Sequence, residues 1–308
     1  MTSTEAIPIE VYELLADHAK QLVDDPLFRV ELEWTATGTI IVVIYSEKGG
    51  VGKTALTTGL AAVAAARGLN VVVIDLDPRA TTTEELGIVK PEYSVNDILY
   101  VDPDDDDPPD IRGAAGDYMV PAGPDWPGTI RVLASERSLG NREFDNTDGM
   151  TDRLAASLDG ALDGVDLVLM DVPPRPGGKL VAAAAKVKPA RALVPALLDP
   201  DGWIGATDAL TTLRKTRRAA GMEAMQIIGV LRHIVDRRRS QIASIYDDKM
   251  RTKDPIAPLL LGDVAVPRYA IRVESRELKV PITVAGSLEA RAVIGAYTRV
   301  LNHIAKAG

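Results

Sequence analysis

The chain has 308 residues, 46% hydrophobic and 26% charged, a composition that suits a globular α/β domain with a sizeable core. It has no cysteine, which excludes disulfides, thiolate metal sites and iron–sulfur clusters. The net charge of −9 is mostly local, because residues 102–110, "DPDDDDPPD", hold six aspartates and three prolines; that tract predicts a solvated loop.

The first 38 residues read as an N-terminal extension packed on the main domain. "IPIEVYELLADHAKQLV" has helical spacing. "FRVELEW" alternates, with Phe28, Val30, Leu32 and Trp34 on one face, and predicts an edge strand forming a hairpin with the strand at 39. The N-terminus has no basic segment followed by an apolar core, and no run of 18 apolar residues occurs anywhere, so a cytoplasmic protein is expected.

From residue 39 to 308 one domain is expected. "TIIVVIYS" (39–46), "NVVVID" (70–75), "VDLVLMD" (165–171), "RALVPAL" (191–197) and "MQIIGVLR" (225–232) are short and nearly all apolar, as strands covered on both faces should be. Between them, "TALTTGLAAVAAARG" places Leu56, Leu60 and Val63 on one stripe and stops at Gly68. Residues 201–221 and 286–308 predict two further helices. The fold class is α/β, a mainly parallel twisted sheet with helices on both faces.

"YSEKGGVGKTAL" (45–56) follows the first strand and opens the first of these helices, a P-loop arrangement. Loop N–H groups and the helix N-terminus converge where anionic oxygens gain hydrogen bonds and the helix dipole together. The loop predicts a nucleotide site built by Gly49, Gly50, Val51, Gly52, Lys53, Thr54 and Ala55. Lys53 would sit on the β- and γ-phosphates of ATP and the Thr54 hydroxyl on Mg²⁺. The usual first glycine is replaced by Glu47, whose charge beside a triphosphate requires its side chain to point away.

"KGGVGKT" resembles the deviant Walker A motif of the ParA/MinD family of P-loop ATPases, nearest to its Soj-like ParA members. The resemblance implies that Lys48 reaches across a homodimer formed on ATP to the partner's phosphates, so that Lys48, Lys53 and Asp77 form the catalytic set. "VVVIDLDPRATTTEELG" is similar to the family's second strand and switch, with Asp77 ordering the attacking water and Asp75 in the Mg²⁺ surroundings. "VDLVLMDVPPRPGG" is similar to its Walker B segment, with Asp171 holding a Mg²⁺-bound water; Val172 stands where many relatives carry threonine. "DVAVPRYAIRVESRELKVPIT" resembles the C-terminal segment and implies Pro267 and Arg268 near the adenine or ribose.

Two basic clusters bear on partners. Arg214, Lys215, Arg217 and Arg218 end a predicted helix, and Arg232, Arg237, Arg238 and Arg239 follow a strand. Four cations within five residues exceed what a helix terminus calls for. By resemblance to the family they imply non-specific DNA binding, and the chain then reads as a ParA-like partitioning ATPase, nucleoid-associated, whose hydrolysis a centromere-binding ParB-like protein stimulates. The alternatives are a MinD-like ATPase on the membrane or a non-hydrolysing nucleotide-binding scaffold. A membrane partner is not expected, since Val293, Ile294, Tyr297, Val300, Leu301 and Ile304 read as a stripe covering the sheet.

Overall fold

The computed structural model describes residues 30–102, 104, 109–220, 225–236 and 240–307. Its strands are β1 (Ile40–Ile44), β2 (Val71–Asp75), β3 (Val120–Pro121), β4 (Ile130–Leu133), β5 (Leu167–Asp171), β6 (Arg191–Ala196), β7 (Gln226–Val235) and β8 (Leu260–Pro267). They form one sheet in the order β3-β4-β2-β5-β1-β6-β7-β8. Among the described residues only the β3–β4 pairing is antiparallel. The expected α/β class and the five expected strands are found, and β3, β4 and β8 are added to them.

Each central strand is buried on both faces by alternation. Ile40, Val42 and Ile44 of β1 join a cluster with Leu56, Leu60 and Val63 of α1 (Lys53–Ala66), while Ile41 and Val43 face the opposite cluster. Helix α1 is rich in alanine, the best helix former, and closes at Gly68, which has a left-handed φ of +89°. Burying each of its three large side chains contributes roughly 1.5–3 kcal/mol.

The helices that follow are short until the second half of the chain: α2 (Thr81–Glu85), α3 (Val95–Leu99), α4 (Ala115–Tyr118), α5 (Arg153–Leu158) and α6 (Lys179–Lys186). Then come α7 (Pro200–Ala220), α8 (Gln241–Thr252), α9 (Ala270–Glu277) and α10 (Leu288–Lys306). Ser287 caps α10 by accepting from the Ala290 amide. Along α10, Val293, Tyr297, Val300, Leu301 and Ile304 are buried in the α1 cluster, with Ile294 packed against it, as the stripe predicts.

Over its described residues, the expected edge strand is not formed. Residues 30–34 carry no strand; the Glu33 amide donates to Asn302 Oδ1, the Asn302 amide group donates to the Glu31 carbonyl, and Leu32 and Trp34 pack on the α1–α10 cluster. The alternation instead fits an extended segment lying on a helix, whose backbone finds side-chain rather than strand partners. The helix expected before it lies outside the described residues. Of the acidic tract, Asp102, Asp104, Pro109 and Asp110 are described, and all are exposed.

Candidate functional site

Register brings the site together. β5 pairs with both β1 and β2, setting Asp171 level with Ile44 on one side and with Asp75 on the other. The two carboxylates therefore lie side by side at the C-terminal edge of the sheet, where the loop leaving β1 turns into α1. Parallel sheets bind ligands at this edge. A cleft of about 1200 Å³ opens there, lined by Gly49, Gly50, Gly52, Lys53, Thr54 and Ala55 at one part and by Val235, Ile242, Pro267, Arg268 and Tyr269 at another.

Asp171 is buried and accepts from Thr54 Oγ1 at 2.8 Å and Thr82 Oγ1 at 2.7 Å, both at Oδ2. Its Oδ1 is buried and has no hydrogen-bond partner among the described residues. Since Thr54 gives its proton to Asp171, its oxygen lone pairs remain free. An orphaned carboxylate oxygen beside a hydroxyl acceptor fits a hard cation such as Mg²⁺, which takes few protein ligands and completes its shell with water and phosphate.

Asp75 is arranged differently. Its Oδ2 accepts from the Thr83 amide at 2.9 Å and the Thr83 hydroxyl at 2.8 Å, and its Oδ1 from the Asp77 amide at 3.1 Å. With both oxygens engaged, Asp75 braces α2 and the turn before it. Asp77, half-buried, lines the cleft, and its charge and that of Asp171 both bear on Lys53, which is 8% exposed and whose pKa burial lowers.

Burial, and then the neighbouring Asp171 charge, push the Asp75 carboxyl up to about 8; burial pushes Asp171 to about 6. The folded chain thus holds the Asp75 proton more tightly than the unfolded chain, where the group titrates near 3.8. That contribution to stability is complete below 3.8 and is lost as pH rises through about 8. The melting temperature of the metal-free protein should therefore fall between about pH 6.5 and about pH 8.5, and Asp75→Asn should flatten that slope. An unchanged slope in the variant, read by thermal-shift titration, would remove Asp75 as its source.

Lys48 is not in the cleft. Its side chain lies along Gly205, where an added Cβ would come within 3.2 Å of Lys48 Cβ, and its Nζ pairs with Asp201 Oδ2 at 2.7 Å in the first turn of α7. Glu47 is likewise turned out of the cleft lining, its Oε1 accepting from the Tyr45 hydroxyl at 3.1 Å. Val172 is wholly buried and supplies no hydroxyl.

The family model for the CobQ/CobB/MinD/ParA nucleotide binding domain matches residues 42–275, more than half of the chain. The chain belongs to the ParA/MinD family. It is similar to the chromosome-partitioning ATPase Soj of Thermus thermophilus, 32% identical over 203 residues, which cover 64% of this chain and 70% of the relative. Among solved structures, a McdA variant of Cyanothece in complex with ATP overlays with a TM-score of 0.68 at 18% identity, covering 86% of this chain and 97% of that one. A plasmid partition protein of Borrelia burgdorferi bound to AMPPNP gives 0.66 at 18% identity, covering 88% of this chain and 100% of that one. At such identity the two structures speak to the fold.

For a ParA/MinD-family chain the basic residues matter next, and one expectation is corrected. Arg232 is not a surface cation: it is 1% exposed, pairs with Asp247 of α8 at 2.8 Å and donates to the carbonyls of Gly262 and Val264. The reason is strand length. β7 continues to Val235, three residues beyond the sequence reading, so Arg232 falls mid-strand, on the face that α8 covers. Arg214, Lys215 and Arg218 are exposed on α7 and Arg217 is partly so. Arg237, Arg238 and Arg239 lie outside the described residues.

The structure also assembles groups that this ParA/MinD-family sequence did not advertise. Glu85 of α2, almost fully buried, accepts from Thr58 Oγ1 at 2.6 Å and pairs with Arg272 of α9, tying the turn after β2 to α1 and to the C-terminal segment. His233, near the end of β7, reaches the backbone of Val51. A lone histidine in an apolar run reads as core; its only signal was a place at a strand's C-terminal end.

Proposed function

We propose that the chain is a ParA-like ATPase that binds ATP with Mg²⁺, dimerises on it, holds DNA without sequence preference and hydrolyses ATP under the stimulus of a ParB-like centromere-binding partner. The observation that carries this reading is the separation of two lysines from one loop. Lys53 is buried in the cleft, whereas Lys48 rests outside it on α7. An ion pair with Asp201 73% exposed is worth about 1 kcal/mol or less, so Lys48 can leave it for the phosphates of a facing subunit.

In this reading Gly49 to Ala55 cradle the triphosphate and Lys53 offsets charge on the β- and γ-phosphates. Thr54 and Asp171 hold Mg²⁺, with Asp75 bracing the turn beside them. The ion, when bound, neutralises charge developing on the transferred phosphoryl group. Asp77 orients the attacking water. Pro267 and Arg268, with Val235, Ile242 and Tyr269, wall the part of the cleft suited to a base or ribose. Loss of the γ-phosphate removes what Lys48 crosses the interface to reach, and the dimer weakens.

Arg214 of α7 lies about 20 Å along the helix from Asp201, so DNA held by Arg214, Lys215, Arg217 and Arg218 would sit away from the nucleotide. Two subunits double the phosphate contacts, which makes affinity dependent on ATP and steeply on salt. This reading gives a nucleoid-associated protein. No helix among the described residues is long and apolar enough to cross a membrane. The stripe on α10 that a membrane-positioning role would draw on is already buried.

Light scattering tests the reading directly. Wild type should double in mass on ATP and Mg²⁺ and then retain DNA, while Lys48→Ala should bind ATP as a monomer and lose ATP-dependent retention of DNA. A Lys48→Ala variant that dimerises like wild type would refute the role given to this lysine.

A further inference from the structure

The phosphate loop takes its path from two glycines in the left-handed region, Gly50 (φ +79°) and Gly52 (φ +84°), with Val51 between them. Such a path gathers successive N–H groups on the concave side that receives anions and turns carbonyls to the other side. Val51 is 1% exposed, so its carbonyl needs a partner within the protein. His233 supplies one, with Nδ1 2.8 Å from the Val51 oxygen. A carbonyl only accepts, so Nδ1 carries the proton. Burial pushes the imidazole down to about 4, which leaves it neutral and in this single tautomer at ordinary pH.

The ring also fixes the loop sterically. A Cβ on Gly52 would lie 2.7 Å from His233 Cε1 and 2.8 Å from Ile234 Cδ1. Ile234 itself holds φ +55°, a conformation that a β-branched residue keeps only when its surroundings enforce it. The end of β7, which also lines the cleft, is thus shaped to press a donor and a flat ring against the loop.

We infer that His233 is a positioning residue of the nucleotide site, holding the Val51 carbonyl outward so that the loop's N–H groups face the phosphates before nucleotide arrives. This rests on the reading of the cleft as an ATP site. Without the donor the buried carbonyl turns toward water and carries the adjoining N–H out of the cradle. His233 itself touches no phosphate in this scheme; it acts through one peptide group.

The test compares His233→Leu with His233→Asn, two side chains of similar size of which only asparagine carries a donor near the position of Nδ1. Titration with a fluorescent ATP analogue gives the dissociation constant and, from stoichiometry, the folded fraction separately. His233→Leu should weaken binding roughly ten- to hundredfold, the cost of an unpaired buried carbonyl, and His233→Asn should recover most of that loss. Hydrogen exchange of the nucleotide-free proteins should show faster exchange at residues 51–53 in the leucine variant than in the asparagine variant. If leucine does not fold, His233→Ala takes its place.

Equal affinity in the donor-less and donor-bearing variants would overturn the inference, as would equal exchange at the loop. If wild type binds no nucleotide but the exchange difference persists, the brace stands and the ATPase reading falls instead.

Discussion

Lys53→Ala should weaken ATP binding by at least about a hundredfold, the loss of charge-assisted contacts worth about 3 kcal/mol. The ammonium stands at the first residue of α1, where the loop N–H groups and the helix terminus already favour anions. Its environment also magnifies the loss. Asp171 and Asp77 both bear on Lys53, and their charges would remain to repel a triphosphate once the lysine is gone. Thermal stability should change little, because burial already disfavours the charged lysine. Wild-type affinity in Lys53→Ala, by titration with a fluorescent ATP analogue, would displace Lys53 from the site.

Arg232→Ala should cost the fold about 3–5 kcal/mol while leaving DNA affinity per folded molecule unchanged. The substitution strips Asp247 of its buried partner and leaves the carbonyls of Gly262 and Val264 without their donor. Asp247 keeps a longer contact to Arg251, at 3.4 Å, which places the loss toward the lower part of that range. Replacing both members, as Arg232→Met with Asp247→Leu, should recover much of the stability, since an apolar pair avoids the desolvation of two charges. Urea unfolding decides the matter; a fully stable Arg232→Ala with weakened DNA binding would restore Arg232 to the proposed nucleic-acid surface.

These two residues show where a sequence speaks and where it does not. Lys53 was legible because the loop encodes its own geometry: glycines that tolerate left-handed φ, then a lysine and a threonine at a helix start, all within ten residues. The five central strands were legible because burial on both faces writes continuous apolar runs. Asp75 and Asp171 were legible as strand ends, yet their different hydrogen bonding was not, because it depends on Thr82 and Thr83 arriving from α2. Arg232 was misplaced since nothing local marks where β7 stops. β3 and β4 are too short to write a pattern, and "LLGDVAVP" of β8 interrupts its apolar run with Gly262 and Asp263 at the sheet edge. The alternation at 30–34 is the same whether a strand or a helix lies alongside.

Gly59 and Tyr297 join α1 to α10. A Cβ at Gly59 would fall 2.2 Å from the tyrosine ring, and the tyrosine hydroxyl donates to the Ala55 carbonyl at 3.0 Å, in the first turn of α1 where the phosphate loop ends. Helix α10 is therefore a rear wall of the cavity, although it comes last in the chain. Deletions that reach back through it would erase ligand binding for a mechanical reason, and fusions at that end bear on the cavity more closely than their position in the sequence suggests.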